Sequence, residues 1–315
     1  MLITMYKLLF LGTSAFAVPS LRALKEDGRF EIAGIITQPD KPVGRHATLT
    51  PPAVKVAAKE LGISEIQQPA KLKEEDFKKW VEDIGPSCDA FVVVSYGKIL
   101  PSWMLELPKH GIFNVHGSLL PRWRGPSPIQ AAILAGDDRT GVTIMKINEK
   151  MDEGPILLEE QTAIHPDETG GELHDRLANL GATVLPHTLA AYLDEKLEPK
   201  EQNGSKATYC KILTRNDGRL DWAKTADELA RMVRAYHPWP GTWTIVNETR
   251  LKVVKARAFQ YEKLLKPGTP FVHDGLPCIA ATSGTALELV EVQPEGKKAM
   301  SGNEFLRGMR SFLRN

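Results

Sequence analysis

Cysteine is scarce in this chain: among 315 residues there are three, Cys88, Cys210 and Cys278, far apart and odd in number. With no C-x-x-C pair and no ligand cluster, they give no basis for a disulfide framework or a thiolate metal site, and they suit a reducing cytoplasm. The histidines are no better organised for a metal. His110, His165, His174, His187, His237 and His273 have no metal-ligand spacing with another His, Cys or carboxylate, so no metal is expected. Long apolar runs are also missing. Nothing approaches the ~18 residues a membrane helix needs, so no membrane is expected as a partner. The apolar opening, MLITMYKLLFLG, is short, ends at Gly12 and is followed by no small-residue cleavage site. A buried first strand explains it better than a signal peptide. There is no internal repeat and no low-complexity tract.

What remains is an ordinary globular composition, 42% hydrophobic and 25% charged, long enough for one large domain or two ordinary ones. The net charge of +1 conceals an asymmetry. Residues 1–206 carry 23 Lys+Arg against 28 Asp+Glu, whereas residues 207–315 carry 17 against 11, a net −5 and +6. Such a split is what a polyanion-binding tail produces, and it is also within reach of chance scatter.

YKLLFLG (6–12) and FEIAGIIT (30–37) read as buried strands separated by a helix through AVPSLRALKEDG. A Pro- and Gly-rich loop, QPDKPVGRHATLTPP, leads to the amphipathic helix AVKVAAKELG. A charged helix at EEDFKKWVEDI precedes the strands CDAFVVVSYG (88–97) and GIFNVHG (111–117). Strands apolar throughout and alternating with helices predict a doubly wound, Rossmann-like α/β domain with a parallel sheet covered on both faces. Its ligands should lie outside the carboxyl ends of the strands. A helix at SPIQAAILAG, strands TGVTIMKINE and GPILLEEQTAI, and a long helix from about Glu172 to Asp194 complete this domain, expected over 1–195. Residues 196–214 have the polar, Pro- and Gly-punctuated composition of a linker. From 215 to 315 a helix at TADELARMVRAY and short, turn-separated runs predict a small β-barrel, OB-like domain.

The chemistry-bearing stretch is Asn114-Val115-His116-Gly117-Ser118-Leu119-Leu120-Pro121, at the end of a predicted strand. Residues i and i+2 of a strand share a face, so Asn114 and His116 project together. Asn supplies an N–H for a developing oxyanion, and His supplies a proton donor or acceptor near neutral pH. A satisfied buried His at a strand end is the plainer alternative, and it remains open on these residues alone. Met151-Asp152-Glu153-Gly154 has two readings likewise. It is either a simple turn or the source of a carboxylate that orients the His ring.

Asn-Val-His-Gly-Ser-Leu-Leu-Pro-Arg-Trp-Arg-Gly (114–125), followed by Met-Asp-Glu-Gly (151–154), closely resembles the 10-formyltetrahydrofolate-dependent formyltransferases. Gly12-Thr13-Ser14 with Phe16, and Val94-Ser95-Tyr96-Gly97-Lys98-Ile99-Leu100-Pro101, resemble the same family's opening turn and folate-side segment. The resemblance implies a catalytic set of Asn114, His116 and Asp152, and 10-formyltetrahydrofolate as formyl-donor cosubstrate. It puts the folate along Ser118, Leu119, Leu120 and Pro121, with Tyr96 and Gly97 nearby. Tyr96 and Trp123 could line that pocket, although aromatic residues beside strands are usually core.

Within the family, three features resemble the branch that formylates methionyl initiator tRNA. One is the loop Thr37–Arg45 running on into Pro51-Pro52-Ala53-Val54-Lys55. Another is the pair of segments Asp217–Trp222 and His237–Thr242, and the third is a match over nearly the whole length. The departure is Tyr209-Cys210-Lys211, where an Ala-Pro-Lys type of sequence is expected. This resemblance makes the basic C-terminal part a tRNA-backbone surface, with Arg45 in the loop and Lys206, Lys211 and Arg215 (Arg219 beside them) as candidate contacts. A cytoplasmic monomer is expected. The competing readings are a formyltransferase acting on a sugar-nucleotide amine, and an RNA-binding protein with a vestigial formyltransferase domain.

Overall fold

A computed structural model of the chain describes residues 5–44, 47–263 and 265–308. In chain order the elements are β1 (Tyr6–Gly12), α1 (Ala17–Glu26), β2 (Phe30–Ile36), β3 (Lys41–Val43), β4 (Thr48–Thr50), α2 (Ala53–Glu60), β5 (Ile66–Gln67), α3 (Glu75–Ile84), β6 (Ala90–Val94), α4 (Ser102–Leu105), β7 (Ile112–His116) and α5 (Pro128–Ala135). They continue with β8 (Arg139–Lys146), β9 (Ile156–Ala163), α6 (Gly170–Leu193), α7 (Ala226–Ala235), β10 (Thr242–Val246), β11 (Thr249–Gln260), β12 (Pro270–His273), β13 (Leu276–Ala280), β14 (Thr285–Pro294), β15 (Met300–Ser301) and α8 (Gly302–Gly308). The chain divides into two compact units that interleave in sequence. The first takes the chain up to Gly125, then Arg139–Ala163 and His174–Cys210. The second takes Pro126–Asp138, Ile164–Leu173 and everything from Lys211 on.

The first unit is built on a seven-stranded sheet in the order β5-β2-β1-β6-β7-β8-β9. β5, β2, β1, β6 and β7 are mutually parallel, whereas β8 runs antiparallel to β7 and β9 to β8. The sheet is therefore mixed rather than parallel throughout. A parallel neighbour needs a crossover of a dozen or more residues, and residues 147–155 are too few to carry β9 back. β6 is apolar and buried throughout, and β1 is buried from Leu8 to Gly12, as a strand covered on both faces requires. α1 buries Ala17, Ser20, Leu21 and Leu24 at helical spacing. Phe77 and Val81 of α3 join Leu9, Leu11, Ile36, Phe91, Val93 and Tyr96 in one core cluster. Glu75 and Asp76 in the first turn of α3 suit the positive end of its dipole.

The second unit is an antiparallel sheet in the order β10-β11-β14-β13-β12, with β15 paired to β14. α7 packs on β11 and β14, and α5 packs on α7. Thr225 and Glu228 form a reciprocal capping box at the start of α7. α5 begins with Pro128 in its first turn and ends at Gly136, which is left-handed at φ 74°, so its bounds follow directly from residue chemistry. Among the described residues no helix is long and apolar enough to cross a membrane.

Candidate active site

β7 lies between β6, its parallel neighbour, and β8, its antiparallel one. Its last residue, His116, is 6% exposed. Asn114 sits two residues earlier on the same face and is half-buried. The Asn114 side chain has no hydrogen-bond partner among the described residues, which leaves its amide hydrogens available to a ligand. The two nitrogens of His116 have different surroundings. Nε2 lies 3.0 Å from the Trp123 carbonyl oxygen, an acceptor, so Nε2 carries the hydrogen. Nδ1 lies 3.7 Å from Oδ1 of Asp152. That leaves Nδ1 with its lone pair, able to accept a proton, and a carboxylate beside it.

Asp152 sits in the β8–β9 connection, which folds back onto the face of β7. Its own backbone is left-handed, at φ 53°. Its Oδ2 accepts the Gly125 backbone N–H at 2.8 Å, so one carboxylate oxygen is anchored and the other faces His116. A Cβ on Gly154 would overlap the Lys146 carbonyl, which is why a glycine closes this turn. The loop after β7 is tied by its own groups. Ser118 Oγ donates to the Arg122 carbonyl at 2.6 Å. Thr143 Oγ1, on β8, donates to the Ser118 carbonyl at 2.6 Å and receives the Leu120 N–H at 3.1 Å. Ser118 and Leu120 are thus buried, and Leu119 and Pro121 are half-buried.

The carboxyl ends of β1, β2 and β6 meet alongside. Thr13 Oγ1 and Gln38 Nε2 both donate to the Tyr96 carbonyl at 2.9 Å, and Ser14 Oγ bonds to Ser95 Oγ at 2.7 Å. Gly97 is exposed at φ 79°. The Tyr96 ring turns inward: it is 1% exposed and joins the core cluster, and its hydroxyl has no partner among the described residues. Burial pushes that phenol well above its usual pKa.

The candidate tRNA contacts differ in setting. Arg45 lies outside the described residues. Lys206 and Arg215 are exposed, each in a short 3₁₀ turn. Lys211 is exposed but pairs with Asp217, whose carboxyl is lowered to about 2 by Lys211 first and by Thr214. Among the described residues no cluster of three or more His, Cys, Asp or Glu is placed to hold a metal ion.

Sequence reasoning missed several groups that shape the site. Thr143, the Trp123 carbonyl and the Gly125 N–H each touch a site residue, yet none carries a local signal beyond the quoted motif. Gln202 is the clearest omission. It lies in the stretch expected as a linker, and its Nε2 donates to the carbonyls of Asp152 and Gly154, at 2.9 and 2.8 Å.

The model of the Formyl transferase family matches residues 6–189, and that of the Formyl transferase C-terminal domain matches residues 212–310. A methionyl-tRNA formyltransferase from Acidobacterium capsulatum is 42% identical over 303 residues, 96% of each chain. One from Geobacillus thermodenitrificans is 42% identical over 311 residues, 98% of this chain and 96% of that one. A solved N-formyltransferase from Helicobacter canadensis, in complex with folinic acid and dTDP-3-aminofucose, superposes with a TM-score of 0.67 at 18% identity. It covers 92% of this chain and 100% of that one, a likeness of fold.

Proposed function

The chain belongs to the formyl transferase family and, within it, to the methionyl-tRNA formyltransferases, and on that footing we propose that it moves a formyl group from 10-formyltetrahydrofolate to the amino group of methionyl initiator tRNA. The observation that carries the reading is the pairing at the end of β7. A free Asn114 amide shares a face with His116, whose Nδ1 lies 3.7 Å from the Asp152 carboxylate. Two features fit a formyl donor. The Asn114 amide has unspent hydrogen-bonding capacity, and the exposed Gly97 edge stands at the end of the neighbouring strand.

The neutral methionyl amine is the nucleophile, so no serine or cysteine nucleophile and no metal is called for. Its nitrogen bonds to the formyl carbon, and the carbonyl π electrons move onto oxygen. Asn114 Nδ2–H donates to that oxyanion in the tetrahedral intermediate. His116 takes the proton from the attacking nitrogen at Nδ1 and delivers it to the departing folate nitrogen as the old C–N bond breaks. Asp152, held by the Gly125 N–H, balances the imidazolium during that interval. Formyl-methionyl-tRNA and tetrahydrofolate result, with no net change of proton on the enzyme.

Leu119, Pro121 and Gly97 would border the folate, with Ser118, Leu120 and Tyr96 supporting them from the core rather than by contact. The +6 charge of residues 207–315 suits a tRNA backbone, to which Lys206, Lys211, Arg215 and Arg45 would add. The protein would work as a cytoplasmic monomer. Incubation with 10-formyltetrahydrofolate and charged initiator tRNA, against a sugar-nucleotide amine as control, tests the proposal. Formylation of the tRNA alone is expected. Formylation of the sugar amine alone would overturn the tRNA assignment.

A further inference from the structure

Residues 200–210 have the composition of a linker, but in the first unit they lie hydrogen-bonded against the candidate site. Lys200 exchanges both backbone hydrogen bonds with Ile156 at the start of β9, each at 2.8 Å. Thr208 N–H donates to the Pro121 carbonyl, the Arg124 N–H to the Thr208 carbonyl, and the Cys210 N–H to the Arg124 carbonyl, at 3.2, 2.9 and 2.8 Å. A short parallel ladder therefore straps the post-β7 loop. Side chains complete it at two points that bear on the chemistry. Thr208 Oγ1 accepts the Trp123 N–H at 2.9 Å, and Trp123 is held at φ 61°, a left-handed conformation few large residues adopt. The carbonyl of that same residue accepts His116 Nε2–H. Gln202, through its two Nε2 hydrogens, holds the carbonyls on either side of Glu153, which fixes the turn that presents Asp152. Its Oε1 accepts from Arg124 Nε and Nη2 at 3.1 and 2.9 Å. Arg124 is 3% exposed and also pairs with Glu153 at 3.0 Å, so the charge is buried with its partners in place.

We infer that this segment is a strap belonging to the reaction centre, in which Thr208 fixes the tautomer of His116 by way of Trp123 and Gln202 fixes the Asp152 turn. Both are positioning residues for formyl transfer, and the inference rests on the function proposed above. The physical reason is that a buried imidazole takes its tautomer from the hydrogen bond its other nitrogen makes. A carbonyl released from Thr208's hold on the same residue can turn away from Nε2. Proton exchange at Nδ1 then loses its defined starting state.

Thr208→Val removes the hydroxyl at nearly constant volume, whereas Thr208→Ser keeps it. Gln202→Glu keeps an acceptor for Arg124 and loses both donors to the Asp152 turn. With initiator methionyl-tRNA and 10-formyltetrahydrofolate, Thr208→Val and Gln202→Glu should lower kcat by about 10²-fold, the scale of a 1 Å misplacement, with the KM for the donor little changed. Thr208→Ser should recover most of the loss, and the pH profile of kcat should move for Thr208→Val. An unshifted profile with wild-type kcat in folded Thr208→Val protein would overturn the role, as would failure of Thr208→Ser to restore it. If no formylation of tRNA is found even with the wild type, the functional reading fails. The strap is then judged separately, by the imidazole ¹⁵N shifts of His116 assigned with His116→Gln. An Nε2–H tautomer in wild type that is lost in Thr208→Val supports the strap, and an identical spectrum refutes it.

Discussion

Gly125 is the residue where the 200–210 segment and the Asp152 carboxylate meet most tightly. Its φ of 114° lies where side-chain-bearing residues are strained, and its N–H donates to Asp152 Oδ2 at 2.8 Å. A Cβ at this position would overlap the Cys210 carbonyl and approach Cys210 Sγ to 3.2 Å. In Gly125→Ala the two backbones must part by about 1 Å, a displacement that can cost about 10² in rate when it moves a reacting group. The unusual φ adds a stability loss of about 1–3 kcal/mol, equivalent to a Tm fall of roughly 2–12 °C in a domain of this size. Gly62→Ala is the internal control. Gly62 has φ 71° and nothing within 4 Å of a Cβ, so strain alone should register there. Initial rates of formyl transfer and thermal melts of both variants decide the matter. The expected pattern is a Tm loss in both, larger in Gly125→Ala where the overlap adds to the strain, with kcat falling only in Gly125→Ala. A folded Gly125→Ala enzyme within threefold of wild-type kcat would refute the reasoning that Gly125 aims Asp152.

Single-turnover formylation should fall about 10²–10⁴-fold in His116→Ala, if the ring is an acid–base catalyst. It should fall roughly 10²–10³-fold in Asn114→Ala, if the amide is an oxyanion donor. Asp152→Asn should also be severe, because it leaves the imidazolium without a counter-charge; near wild-type turnover by folded His116→Ala protein would sink the mechanism. Asp217 offers a pH test in the second unit. Its folded carboxyl is depressed from 3.8 to about 2, so its stabilising contribution is present above pH 3.8 and is lost as pH falls through about 2. Asp217→Asn should therefore be less stable than wild type near pH 7, with the gap closing between about pH 4 and about pH 2. A gap that persists unchanged to pH 2 in chemical denaturation would exclude the ionic origin.

The elements that sequence periodicity could reveal are those whose burial is local. The apolar runs of β1, β6 and β7 and the spacing of Phe77 and Val81 in α3 declare their faces within a few residues. Strand direction is a different matter. β8 and β9 are legible as strands, but that they run antiparallel follows from partners tens of residues away and from the short 147–155 connection. The site divides in the same way. Asn114 and His116 share a face by alternation alone, whereas Asp152 is joined to them in sequence only through family resemblance. Gln202 and Thr208 carry no signal, because composition reports turn propensity and is blind to which distant carbonyl a side chain will hold. Lys211 shows the converse limit: a lysine counted as a free cation has a carboxylate partner six residues on.

The interleaving of the two units has a consequence for synthesis. α5 buries Ile129, Ala131, Ala132 and Ile133, and α7, on which it packs, begins at Ala226. At roughly 5–20 residues per second, α7 follows about a hundred residues and thus about 5–20 s later. Until then, α5 has been made without the helix on which it packs. Ribosome-bound chains stalled ahead of Ala226 should be open to protease between Pro126 and Asp138, and chains long enough to expose the whole second unit should be protected there. Equal cleavage of the two would show that α5 is covered without α7. A formyltransferase built this way thus makes α5 well before the helix it packs on.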